Sequence, residues 1–255
     1  MRYILITLLM AAVFACDRVS PEAVNVNNSA TSVSSSPVPV TAANANPKQV
    51  PAAKEEVFVR PVDEGESDPS FSAFRKKLIE AANKRDAEYI LSILDPKIKN
   101  SFGGDGGIEE FKEAWKINSP DSKFWGELLA AISNGGYMSN EKDQFSAPYL
   151  FEGLPDNLDP FEHEAIFGKD VRLRAKPDLD SEVVATLSYN VVRVDNENSV
   201  KKENSDSEFS WLKVETLGGL KGFVKAEFVR SSIDYRALFA KQDGEWKMDV
   251  FIAGD

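Results

Sequence analysis

The sequence predicts an α+β fold: a helix-rich N-terminal half, a small all-β barrel after it, and a C-terminal β-hairpin that packs back on the helices. Three observations predict it. Apolar residues first recur at helical spacing, as in Phe71, Phe74, Leu78 and Ala81. The rhythm then becomes two, with Val171, Leu173 and Ala175 alternating with Arg172 and Arg174. Finally, strong alternation resumes over 233–254 around Asp243-Gly244, after the barrel strands are complete.

Composition bounds the chemistry. The 255 residues include 30 Lys plus Arg and 41 Asp plus Glu, a net charge of −11, so a nucleic-acid partner is not expected. A hydrophobic fraction of 42% supplies a core and excludes wholesale disorder. The lone cysteine, Cys16, and lone histidine, His163, leave no disulfide, no Cys/His zinc site and no Cys–His nucleophilic pair in the folded part. No metal, cofactor or catalytic residue is expected.

The first residues read as an address over 1–15. Arg2 precedes the apolar run 3–14, too short to span a bilayer, which takes about 20 such residues, and suited to a secretory signal. Val13-Phe14-Ala15-Cys16 then resembles the lipobox of bacterial lipoproteins. That resemblance implies a diacylglyceryl group on Cys16, cleavage before it, and stable anchoring to a bacterial membrane with the body in the periplasm or extracytoplasmic space. A plain signal peptide cut elsewhere is the alternative. Residues 16–67 read as a lipidated, disordered linker, since 17–53 contain no Leu, Ile, Met, Phe, Trp or Tyr. Within 55–66 the patch Val57, Phe58 and Val59 is expected to dock on the body.

The helix-rich domain spans 68–160. Asp68-Pro69 is a cap followed by proline at the first helical position. Asp86 caps a second helix with Tyr89, Ile90, Ile93 and Leu94, stopped by Pro96, and 98–102 form a short strand. The glycine-rich run 103–107 reads as a structural turn, lacking a P-loop ending, with Asp105 as its cap or turn residue. A third helix carries Ile108, Phe111 and Trp115. Ser119-Pro120-Asp121 opens a fourth with Phe124, Leu128, Ala131 and Ile132, ended by Gly135-Gly136.

The barrel spans 161–231. Val171, Leu173, Val184, Leu187, Val192 or Val194, and Val214 are expected inward, with Arg172 and Arg174 outward. The polar stretch 196–210 is expected as a surface loop, and His163 as a solvated strand-edge residue. Val171-Arg172-Leu173-Arg174-Ala175-Lys176-Pro177, Val183-Val184-Ala185-Thr186-Leu187, Trp211-Leu212-Lys213-Val214 and Gly222-Phe223-Val224 together resemble the bacterial SH3 (SH3b) domain family. Asn190, where that family usually has glycine, and the long stretch before Trp211 depart from its pattern. The family has no invariant ligand residues, so none is transferred. Trp211, Phe223 and Tyr189 are the candidate ligand-binding residues, set against the simpler reading of Trp211 and Phe223 as barrel wall. The remaining α+β part, 68–160 with the hairpin 232–255, resembles the nuclear-transport-factor-2-like cone.

Two function classes follow. In the first, a non-catalytic envelope lipoprotein uses its SH3b-like module to bind peptidoglycan or an envelope protein. In the second, the α+β domain is an enzyme or small-ligand pocket that the barrel only positions. An aromatic-lined groove on the barrel favours the first; a deep pocket in the α+β part favours the second.

Overall fold

The computed structural model describes residues 55–205 and 208–254. The expected signal segment, Cys16 and the expected linker as far as residue 54 lie outside them. In chain order come α1 (Pro69–Lys84), α2 (Ala87–Ser92), β1 (Leu94–Lys99), α3 (Ile108–Trp115), α4 (Phe124–Ile132), β2 (Tyr137–Met138), β3 (Gln144–Ala147) and α5 (Leu150–Gly153). The second half holds β4 (Glu164–Ile166), β5 (Val171–Arg174), β6 (Val183–Leu187), β7 (Val191–Lys201), β8 (Phe209–Thr216), β9 (Lys221–Lys225) and β10 (Val229–Ser231). The hairpin β11 (Arg236–Gln242) and β12 (Glu245–Ile252) follows them.

The caps do what the sequence promised. The Asp68 carboxylate accepts from the Phe71 amide at 2.8 Å, and Asp86 accepts from Tyr89 at 3.0 Å, each satisfying a donor that the helix leaves open. Pro96 does not bar a strand. Residues 94–99 form β1, longer at its start than the expected 98–102, because β1 is a sheet edge where a missing N–H costs little. The Ser119-Pro120-Asp121 signal makes a turn, and α4 starts only at Phe124.

The hairpin returns to the helical half. The first sheet has order β1-β12-β11-β3-β2, with β1 parallel to β12 and the other pairings antiparallel. Ala237, Phe239, Met248 and Phe251 point to one face, where Phe71, Leu78, Phe111, Phe124 and Leu128 of the helices bury them. Phe71 lies 4.2 Å from the Phe145 ring and 4.8 Å from Trp246, ring centre to ring centre, so α1 is stitched to β3 and β12. The barrel strands thus lie between two neighbouring strands of the host sheet, β3 and β11.

The second sheet is a curled half-barrel of order β10-β4-β7-β8-β9-β5-β6 around Ile166, Leu173, Val192, Val214 and Val224. Val171, Leu173, Leu187, Val192 and Val214 are buried and Arg172 is exposed. Arg174 keeps the expected side but not the expected exposure: it is 6% exposed, because its guanidinium folds onto the Ser181 carbonyl, 2.8 Å away, in the wall of an outer groove. Val184 is also corrected, to an exposed position on edge strand β6. Nor is 196–210 simply a surface loop. β7 and β8 run on through it as a solvated ladder, pairing Val200 with Trp211 and Lys201 with Phe209 across bulges. His163 is buried rather than solvated. Its Nδ1 lies 2.9 Å from the Asp159 carbonyl, in the turn that leads into β4.

The folded body starts before residue 68, so part of the expected disordered linker is ordered. Val59 donates its amide to Tyr189, and Val57 accepts from Val191, both at 2.8 Å. Farther along, Glu64 donates to Gly136 at 3.0 Å, Gly136 donates to Val62 at 2.9 Å, and Asp63 takes two hydrogen bonds from buried Arg75 at 2.6 and 2.8 Å. Val59 packs with Tyr149, Leu150, Ala165 and Val191 in a cluster drawn from both sheets' surroundings. This arm is a strap across the barrel and its host. The docking expected of Val57, Phe58 and Val59 is carried by backbone bonds and by Val59; Phe58 stays 43% exposed.

Candidate functional site

The barrel surface carries a groove of about 270 Å³ built from four places in the sequence. β8 supplies Trp211 and β9 supplies Lys225, opposite one another in the ladder. The Lys225 ammonium lies 5.9 Å from the centre of the Trp211 ring, within cation–π range. The segment entering β5 adds Lys169 and Asp170, β5 itself adds Arg172 and Arg174, and Leu179 and Phe228 form an apolar rim. Leu179 is 60% exposed and Phe228 40%, so the rim offers apolar surface to solvent.

The geometry sorts the expected site residues. Trp211 is half-buried and lines the groove, so it is barrel wall on one side and a platform on the other. Phe223 is half-buried and pairs with Lys213 and Arg174 in the ladder, but does not line the groove. Tyr189 is placed elsewhere. It has a left-handed backbone at φ 63°, its carbonyl holds the Val59 amide, and it lines a different recess with Tyr149 and Phe167 beneath the strap. Sequence reasoning missed the cations of the groove. Their signal was the Arg172/Arg174 pair in the first barrel strand and the basic residues that flank it.

Charge gives the groove its character. Four cations and one carboxylate meet there on a chain whose net charge is −11. A positive concavity of this kind attracts anions over a surface that otherwise repels them. Trp211 offers a flat face for stacking against a sugar or a peptide plane.

Two other places are occupied by the protein itself. In the 103–107 run, Gly104 donates to Ser101 Oγ at 3.0 Å, Gly106 to Glu110 Oε2 at 3.0 Å, and Gly107 to the Ile98 carbonyl at 2.7 Å. These donors are engaged, so the run is a structural turn, with Glu110 rather than Asp105 bonding the loop. Where α4 meets the barrel, Glu127 lies near Arg230 and Asp234, and Glu164 near Asp234, while the Arg230 guanidinium donates to the Tyr235 carbonyl at 2.6 Å. Burial, reinforced by Asp234, pushes the Glu164 carboxyl up to about 7. Burial also raises Glu127, though Arg230 pulls it back. Among the described residues no group of three or more His, Cys, Asp or Glu side chains is arranged to hold a metal ion, and no helix is long and apolar enough to cross a membrane.

Comparison with known families matches residues 169–230 to the bacterial SH3 domain. The match covers β5 to β10, while β4, outside it, completes the same sheet between β10 and β7. No curated protein matches the chain.

Proposed function

With residues 169–230 a bacterial SH3 domain, a module that generally binds the cell wall, we propose that this chain is a non-catalytic envelope lipoprotein. In this reading Cys16 carries the lipid anchor, 17–54 tether the body to the membrane, and the barrel docks on peptidoglycan or an envelope protein. The basic, tryptophan-floored groove is the observation that carries it. Peptidoglycan stems present carboxylates on peptide planes beside sugars, which matches cations placed around an aromatic face.

The test is co-sedimentation of the full chain with purified peptidoglycan. Binding that Trp211→Ala and Lys225→Glu each reduce, without loss of folded structure, supports the reading. Binding that neither variant alters moves the contact off this groove. For the anchor, Cys16→Ala should release the protein from the membrane or leave the precursor uncleaved. A mature N-terminus other than Cys16 in mass spectra overturns lipidation.

A further inference from the structure

The host sheet has a second face, and the helices do not cover it. A bulge at Asp249 shifts the β11–β12 register and sends Met248 and Val250 to opposite faces. Ala237, Phe239, Phe251 and Met248 go to the helical core, so their neighbours Arg236, Leu238, Val250 and Ile252 point the other way. Leu238 pairs with Val250 and Arg236 with Ile252, while Lys99 of edge strand β1 stands beside Val250. On this side lies a cavity of about 590 Å³, a size typical of small-molecule sites. Leu238, Val250 and Ile252 line its sheet side.

Two aromatic walls flank this floor. Phe151 of α5 comes from one side, and Phe102 of the 101–106 loop from the other. The Arg236 guanidinium sits 4.7 Å from the Phe151 ring and 5.8 Å from the Phe102 ring, and donates to the Gly254 carbonyl at 2.7 Å. It is 7% exposed, held in place as a fixed positive end to the cavity. Lys97 and Lys99 add two exposed cations, and Asp105 is the one carboxylate among the lining residues. An aliphatic floor between aromatic walls, with cations at the edge, suits a molecule with an apolar body and one anionic head. A sugar would meet few hydrogen-bond partners there, and a cation would be repelled.

We propose that this face of the α+β domain is a binding site for an amphipathic monoanion, a short aliphatic chain bearing a carboxylate. The chain lies on Leu238, Val250 and Ile252 between Phe102 and Phe151, and its carboxylate meets Lys97 and Lys99 beside Arg236. The site is separate from the barrel groove, shares no residue with it, and stands whether or not the barrel binds the cell wall.

Titration calorimetry of the full chain with hexanoate, octanoate and decanoate tests it, with decanol as the uncharged control. Burial of the tail predicts roughly fourfold tighter binding per added methylene. Decanoate should bind at least about tenfold more tightly than decanol, and Lys97→Glu with Lys99→Glu should remove that preference. Phe102→Ala should weaken decanoate, because it takes away one wall from an exposed position where folding does not depend on it. Trp211→Ala should leave decanoate affinity unchanged. Absence of saturable binding at millimolar decanoate overturns the site, as does equal affinity for decanol, or decanoate affinity indifferent to the lysine and Phe102 variants. A loss of decanoate binding in Trp211→Ala relocates it to the barrel and overturns it equally.

Discussion

Leu173 shows what a single position can hold in this barrel. It is fully buried, and Gly222 on the neighbouring strand leaves room for it: a Cβ at 222 would stand 2.9 Å from the Leu173 side chain and 2.6 Å from the Arg174 carbonyl. Leu173→Asp should therefore cost at least about 3 kcal/mol by burying an unpaired carboxylate, read as a collapse of the denaturation midpoint. An unchanged midpoint contradicts the register. Glu164 gives a pH dependence. Its folded-state value, about 7, lies above its ordinary 4.5, so the folded protein keeps the proton across that window. The resulting stability is fully present below about pH 4.5 and is lost as pH rises through about 7. Glu164→Gln should flatten that slope and raise stability at pH 8 by on the order of 2–3 kcal/mol, measured by urea unfolding across pH. At this scale the sequence was legible where period alone decides, as at Val171, Leu173 and Val214. It failed at Val184, where a bulge in β6 leaves the side chain exposed, and at His163, where a local turn buries a polar ring.

Among the elements, the strap 55–64 was expected only in part. Its apolar patch at Val57, Phe58 and Val59 signalled docking, but the backbone hydrogen bonds to Tyr189, Val191 and Gly136 that hold it leave no trace in side-chain pattern. Truncation to residue 55 should leave the melting temperature unchanged, because 17–53 contribute no large aliphatic or aromatic group. Truncation to residue 65 should differ sharply. It takes away Val59 and strips Arg75 of Asp63, leaving a buried guanidinium short of partners, for a loss on the order of 3–5 kcal/mol. Equal melting temperatures for the two truncations would show that the strap is dispensable. The caps at Asp68 and Asp86, by contrast, were legible because an N-cap is a local contract between a side chain and the next turn. The turn at 119–121 carried the same letters without that geometry, and α4 began later.

At the scale of the molecule, the strands of one sheet, β4 to β10, interrupt the chain between β3 and β11 of the other. The alternation over 233–254 announced a hairpin surplus to the barrel, and the helices' apolar faces announced the need for a sheet. Deleting 233–255 should expose Phe71, Phe111 and Phe124, unfolding the helical region while the barrel survives. Hydrogen exchange reads both halves at once, and protected helices in the deletion would refute this dependence. Neither candidate site could be read from the chain in the same way. The barrel groove joins residues 169 to 228, and the sheet-face cavity joins 97 to 252, so each exists only once distant strands are side by side.

The parallel pairing of β1 with β12 also sets a timetable. The host's inner strand, β12, follows every barrel strand in the chain, so the sheet that covers α1 to α4 cannot exist until the whole barrel has been made. The barrel, whose strands are consecutive, can close first and draw the ends of β3 and β11 together, shortening the loop the host must close. Until then the helices display an aromatic surface to whatever surrounds the nascent chain. The host should fold slowly and late, with a rate limited by its non-local strand pairing. It is in that interval, more than in the finished protein, that aggregation or a holding chaperone would compete for it.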